Sequence, residues 1–191
     1  MREVVFKYRG YIFVPLAVLI LVLGKPTPLS YTTGILLALL GEVIRIWGVG
    51  YAGTTTREGE VKAAQLVTAG PYSYVKNPLY IGNFITGIGF CIMAIGGVSL
   101  PVRVIMLALL PVFYGGVYGT IIPLEEDYLQ KAFGGTYKKY SESVPRIFPR
   151  FIPYPERTGT FKWQTIYRAE SHTLVMFVIM CILMALKISG G

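Results

Sequence analysis

GPYSYVKNPLY, residues Gly70 to Tyr80, joins a polar loop directly to a membrane-length apolar run. Pro71 and Pro78 each fix φ and remove a backbone donor, and Gly70 permits a bend, so a shaped turn should enter a helix near Pro78. Three tyrosines and Asn77 line this short basic loop. Any chemistry is expected at this junction.

Outward from the junction the chain is apolar. Of its 191 residues, 53% are hydrophobic and 15% charged. With a mean hydropathy of +0.56, it is too apolar for an ordinary soluble domain. The expected fold is all-α, a single integral membrane domain over residues 1–191 with about five transmembrane helices. Cys91 and Cys181 both sit in apolar runs and read as buried free thiols. His172 has no His or Cys companion nearby, so no metal site is expected. The formal net charge is +8. Its Lys and Arg interleave with the spans, which favours anionic lipid headgroups over nucleic acid as the partner.

The spans are expected at about 4–24, 31–52, 79–97, 102–122 and 172–187. The first, with Lys7 and Arg9 snorkelling to the headgroups, has no small-residue cleavage site before Lys25-Pro26 and reads as uncleaved. Glu42 and Arg45 interrupt the second; three residues apart on a helix, they share a face and can pair. Two readings stand side by side, a structural ion pair inside the bundle or a charge facing a cavity. Pro111 should kink the fourth span. Beyond it, Pro123 is expected to open a short acidic helix that ends at Gly134-Gly135. Residues 146–168 mix cations, aromatics and prolines, as a strip lying at the bilayer interface would.

Five spans put the loop before Asn77 and the segment from Glu125 onward on one membrane face. That face carries most of the Lys and Arg, whereas Lys25, Arg103 and Lys187 fall on the other, so the positive-inside rule places it in the cytoplasm together with the N-terminus. The chain has no Gly-rich strand-to-helix fingerprint, phosphate-cradling loop or nucleophile elbow. What remains is a carboxylate cluster, a set of tyrosines and Arg146. Such groups suit positioning and electrostatic stabilisation of a reactive cofactor better than covalent catalysis.

Two blocks carry a family resemblance. GPYSYVKNPLYIG, Gly70 to Gly82, is followed by an acidic, tyrosine-rich block from Glu125 to Arg146 that ends in Val-Pro-Arg. Together they resemble the integral membrane methyltransferases typified by isoprenylcysteine carboxyl methyltransferase and the phospholipid methyltransferases. The resemblance implies S-adenosylmethionine at the cytoplasmic face, S-adenosylhomocysteine as product, and a lipid or isoprenoid acceptor arriving sideways from the bilayer. It implies catalytic segments at about 66–82 and 123–168. Gly70, Pro71, Tyr72, Val75, Asn77, Pro78 and Tyr80 would form one wall of the cofactor pocket. Tyr137 and Tyr140 would belong to the other, with Glu125, Glu126 and Arg146 as catalytic groups.

Two positions depart from the pattern. Lys76-Asn77 stands where many relatives have Arg-His, and Ile121 where many have Arg, so no histidine base is present at that point. A carboxylate nucleophile needs none, whereas an amine must lose a proton. Two alternatives remain, a nicotinamide-dependent membrane reductase of sterols or isoprenoids and a non-catalytic membrane protein. The sequence leaves the acceptor and the oligomeric state undefined.

Overall fold

The computed structural model describes residues 8–53 and 65–189. Arg2 and Lys7, and the loop cations Arg57 and Lys62, lie outside the described residues, as do residues 4–7 of the expected first span. A helical turn at Arg9–Ile12 precedes α1, Val14–Leu23. The helix restarts there because Pro15 cannot donate to the preceding turn.

Four longer helices follow. They are α2, Pro28–Ala52; α3, Pro78–Ala94; α4, Leu100–Ser143; and α5, Trp163–Ser189. Among the described residues there is no strand. α2, α4 and α5 are long and apolar enough to cross a membrane, while α1 and α3 are apolar but shorter. Their outer faces leave Leu36, Val43, Val104, Val112, Met176 and Ile182 exposed. Bilayer lipid, being as apolar as these side chains, is their natural surrounding. The chain is an all-α polytopic membrane protein.

α2 starts where its sequence sets a cap. Thr27 Oγ1 accepts from the Ser30 amide at 3.3 Å, Ser30 Oγ accepts from the Thr27 amide at 2.9 Å, and Pro28 occupies the first helical position. This reciprocal box satisfies two otherwise orphaned donors. α2 and α3 then pack backbone to backbone. A Cβ at Gly34 would lie 2.5 Å from the Gly89 carbonyl oxygen, and one at Gly41 would lie 2.5 Å from the Thr86 nitrogen. Small residues bring helices this close in membranes, where dispersion contacts replace the hydrophobic effect as the driving force. Met93, Cys91, Leu110, Tyr114, Tyr118, Ile121 and Met184 fill the core beside them. Both cysteines are buried free thiols.

α4 differs from expectation. Pro123 does not open a new helix but lies inside α4, as does Pro111; the helix does break at Gly134, with φ 51°, where the acidic helix was expected to end. One proline forfeits a single backbone bond, which a helix emerging from the hydrocarbon can replace with water or side chains. From Leu100 to the break at Gly134, α4 is roughly 50 Å long at about 1.5 Å per residue, well beyond the thickness of a hydrocarbon core of about 30 Å. Its second half therefore projects beyond the bilayer and carries Glu125 and Glu126 with it. α5 also starts earlier than the expected fifth span and takes in part of the strip read as interfacial.

Candidate active site

Backbone pairing builds the site's frame. The segment after α4 runs back along the segment before α3. The Lys76 amide donates to the Pro145 carbonyl at 2.9 Å, Arg150 to Tyr74 at 3.0 Å, Tyr154 to Ser73 at 2.8 Å and Thr68 to Thr158 at 2.9 Å. Gly70, with φ 61°, lies under the Tyr51 ring, where a Cβ would come within 2.3 Å of a ring carbon. The Tyr140 hydroxyl donates to the Tyr72 carbonyl at 2.7 Å, and Asn77 Nδ2 donates to the Arg146 carbonyl at 3.0 Å. A small second core of Leu66, Tyr137, Tyr140, Val144 and Tyr154 lies beneath these contacts.

Glu125 and Glu126 of α4 diverge. Tyr80, in the first turn of α3, donates its hydroxyl to Glu125 Oε1 at 2.7 Å. Glu126 is held from two sides, by Lys76 Nζ at 3.1 Å and by both prongs of Arg146, whose Nε lies 3.0 Å from Glu126 Oε1. Paired, bidentate contact of this kind fixes the plane of a carboxylate as well as its position. The hydrogen bond to Glu126 holds the Arg146 guanidinium above its ordinary pKa. Burial raises the Tyr72 phenol well above its ordinary value, and Glu125 adds to the shift.

The structure thus brings the two sequence blocks together and separates the roles within them. Pro71, Val75, Pro78, Tyr137 and Tyr140 are buried and serve the frame, and Asn77 is buried with its amide engaged. Tyr80, Glu125, Glu126 and Arg146 present polar atoms at the rim. Lys76 was left out of the expected site, yet it pairs with Glu126. A cavity of about 320 Å³ opens beside this frame, lined by Gln65, Leu66, Thr68, Phe133, Thr136, Tyr140, Tyr154, Glu156 and Thr158. Tyr140 is the one expected cofactor residue among its walls.

A second polar cluster lies inside the bundle. Arg45 faces Glu42 Oε1 at 3.5 Å, donates to Glu170 Oε2 at 2.7 Å and donates to Asn83 Oδ1. Asn83 Nδ2 in turn donates to the Tyr118 hydroxyl at 2.8 Å. The expected Glu42 and Arg45 pair therefore exists, but Glu170, Asn83 and Tyr118 join it from three other helices. Among the described residues no three His, Cys, Asp or Glu side chains gather as a metal site would require.

Residues 29–136, more than half of the chain, match the phospholipid methyltransferase family. The cobalt-zinc-cadmium resistance protein CzcN of Cupriavidus metallidurans is 30% identical over 67% of this chain and 53% of its own length. The nickel-cobalt-cadmium resistance protein NccN of Alcaligenes xylosoxydans xylosoxydans is 27% identical over 75% of this chain and 55% of its own. Protein-S-isoprenylcysteine O-methyltransferase B of Arabidopsis thaliana is 30% identical over 61% of this chain and 57% of its own. The chain spans about half the length of these curated relatives, and no solved structure matches it. The matched residues include the whole Gly70 to Tyr80 junction with Glu125 and Glu126, and the chain belongs to the phospholipid methyltransferase family.

Proposed function

We propose that this chain transfers a methyl group from S-adenosylmethionine to a lipid-like or isoprenoid-linked acceptor, a carboxylate or an amine, that reaches it from the bilayer. One observation carries the reading. The Tyr80 and Glu125 pair and the Lys76, Glu126 and Arg146 cluster meet where the apolar helices end. Family membership and the relatives named as isoprenylcysteine O-methyltransferases support it.

The groups present fit the cofactor. Carboxylates and tyrosine faces suit a sulfonium and an ammonium, and a guanidinium exposed at its outer edge suits a carboxylate. The cavity beside Tyr140 combines the rings of Tyr140 and Tyr154 with Gln65 and Thr68, a wall that suits a heteroaromatic base. When bound, the cofactor supplies an electrophilic methyl group. Tyr80 holds Glu125 in place, Lys76 and Arg146 hold Glu126, and the frame of Asn77 and Tyr140 keeps the two blocks in register. Catalysis then rests on alignment of nucleophile and methyl carbon. With no histidine at position 77, Glu125 would take up the proton that an amine acceptor must lose.

The distribution of Lys and Arg supports an orientation with the N-terminus and the site facing the cytoplasm, and the membrane we assign is a prokaryotic cytoplasmic one. The direct test is transfer of radiolabelled methyl from S-adenosylmethionine to fractionated native lipids. Label in a lipid fraction that disappears with Glu125→Ala is the expected result. No label in any fraction, together with no binding of the cofactor, would overturn the reading.

A further inference from the structure

The intramembrane cluster and the rim are physically joined. Asn83 and Tyr80 lie one turn apart on α3, and Tyr118 and Glu125 lie two turns apart on α4. The Tyr80 and Tyr118 rings lie against each other at a tilt of 37°, with centroids 4.4 Å apart. Tyr80 then donates to Glu125 at 2.7 Å, and Asn83 donates to the Tyr118 hydroxyl at 2.8 Å. These four side chains close a loop between the two helices. Its inner corner is fixed by Arg45, which binds the Asn83 oxygen with one prong and Glu170 of α5 with the other.

An amide has a donor end and an acceptor end. A guanidinium only donates, so Arg45 dictates that the Asn83 oxygen faces it and the Asn83 NH₂ faces Tyr118. That orientation sets which way the Tyr118 hydroxyl, and hence its ring, is held. The Tyr118 ring is the surface against which Tyr80 lies while it reaches Glu125. We propose that Arg45, Asn83 and Tyr118 are positioning residues for Tyr80 and Glu125, so that the buried ion cluster sets the geometry of the rim site. This inference rests on the methyltransferase reading and adds three residues to it, none of which touches the cofactor.

Two substitutions separate positioning from scaffolding. Tyr118→Phe keeps the ring against Tyr80 but removes the hydroxyl. Arg45→Lys keeps a cation between Glu42 and Glu170 but lacks the fork that orients Asn83. Each variant is purified in full length, its Tm is measured, and S-adenosylhomocysteine is titrated calorimetrically. Affinity should fall by about three- to tenfold, the scale of one hydrogen bond, with only a modest fall in Tm that does not track it. In a Tyr80→Phe background Tyr118→Phe should cause no further loss, because the two act through one contact. Unchanged affinity in both variants, additive losses, or losses that follow Tm step for step would overturn the inference while leaving the methyltransferase reading intact. If the wild type binds neither S-adenosylhomocysteine nor S-adenosylmethionine, that reading itself fails and the inference with it.

Discussion

Arg45 and Arg146 each hold glutamates, in opposite settings. The Arg45 side chain is 10% exposed and its partner Glu170 2%, whereas Arg146 is 54% exposed against 14% for Glu126. The first pair lies among membrane helices, where a charge persists only if its partners are built in. The second lies past the ends of those helices, where water shares the load and the outer edge of the guanidinium remains accessible. The same residue types therefore sit differently: the buried cluster joins four helices, and the rim cluster keeps polar atoms open to water, where the proposed cofactor would meet them.

The largest expected effect comes from breaking the inner cluster. Arg45→Ala leaves Glu42 and Glu170 without their cation in an apolar setting and should cost about 3–5 kcal/mol, read as a large fall in Tm in detergent. A fall no larger than that of an exposed arginine would remove the contrast. Next is Tyr80→Phe, which removes one charge-assisted hydrogen bond to Glu125 at the rim. S-adenosylhomocysteine affinity should fall roughly tenfold, with little change in thermal stability.

Arg146→Ala sharpens the comparison from the other side. An exposed ion pair contributes about 1 kcal/mol or less, so Tm should hardly move while calorimetric affinity drops. The smallest effect is expected at the fully solvated end of the series. Lys139 and Glu156 pair at side-chain exposures of 64% and 58%. The hydrogen bond from Lys139 lowers the Glu156 pKa below its ordinary value. A carboxyl depressed in the folded state stabilises at pH values above its unfolded pKa, and that contribution disappears as pH falls through the folded one. The Tm of wild type and Glu156→Gln should therefore differ slightly at neutral pH and converge in acid, and added salt should narrow the gap.

These contrasts also mark what the sequence could convey. The start of α3 was legible because Pro78 opens a long apolar run and proline is well placed in a first helical turn, whereas α2 begins at Pro28, three residues before its expected span. Glu42 and Arg45 were legible as a pair because their spacing puts them on one helical face. Glu170 was not. It reaches Arg45 across 125 residues, and no local periodicity encodes such a partner. Its neighbours from Trp163 to Arg168 also have the aromatic and cationic character of an interfacial strip as much as of a helix. Asn83, the one side-chain amide in a glycine-rich apolar helix, was the available signal for the inner cluster.

At the rim, the two blocks and their residues were legible through the family pattern, but their division of labour was not. That Tyr140 and Asn77 brace the frame depends on which backbone carbonyl lies opposite, and those carbonyls, at Tyr72 and Arg146, come from the other block. Pro123 misled for a related reason. A proline that would end a soluble helix costs one bond here, and the continuous α4 core offsets it.

The central claim is that a cofactor-binding rim stands on a buried charged frame, and S-adenosylhomocysteine tests it most directly. Ligand that binds only the folded state raises Tm in proportion to its concentration over Kd. The wild-type protein should show a concentration-dependent rise in Tm that Glu125→Ala or Tyr80→Ala abolishes. A flat Tm at every ligand concentration, with no heat of binding in calorimetry, would contradict it.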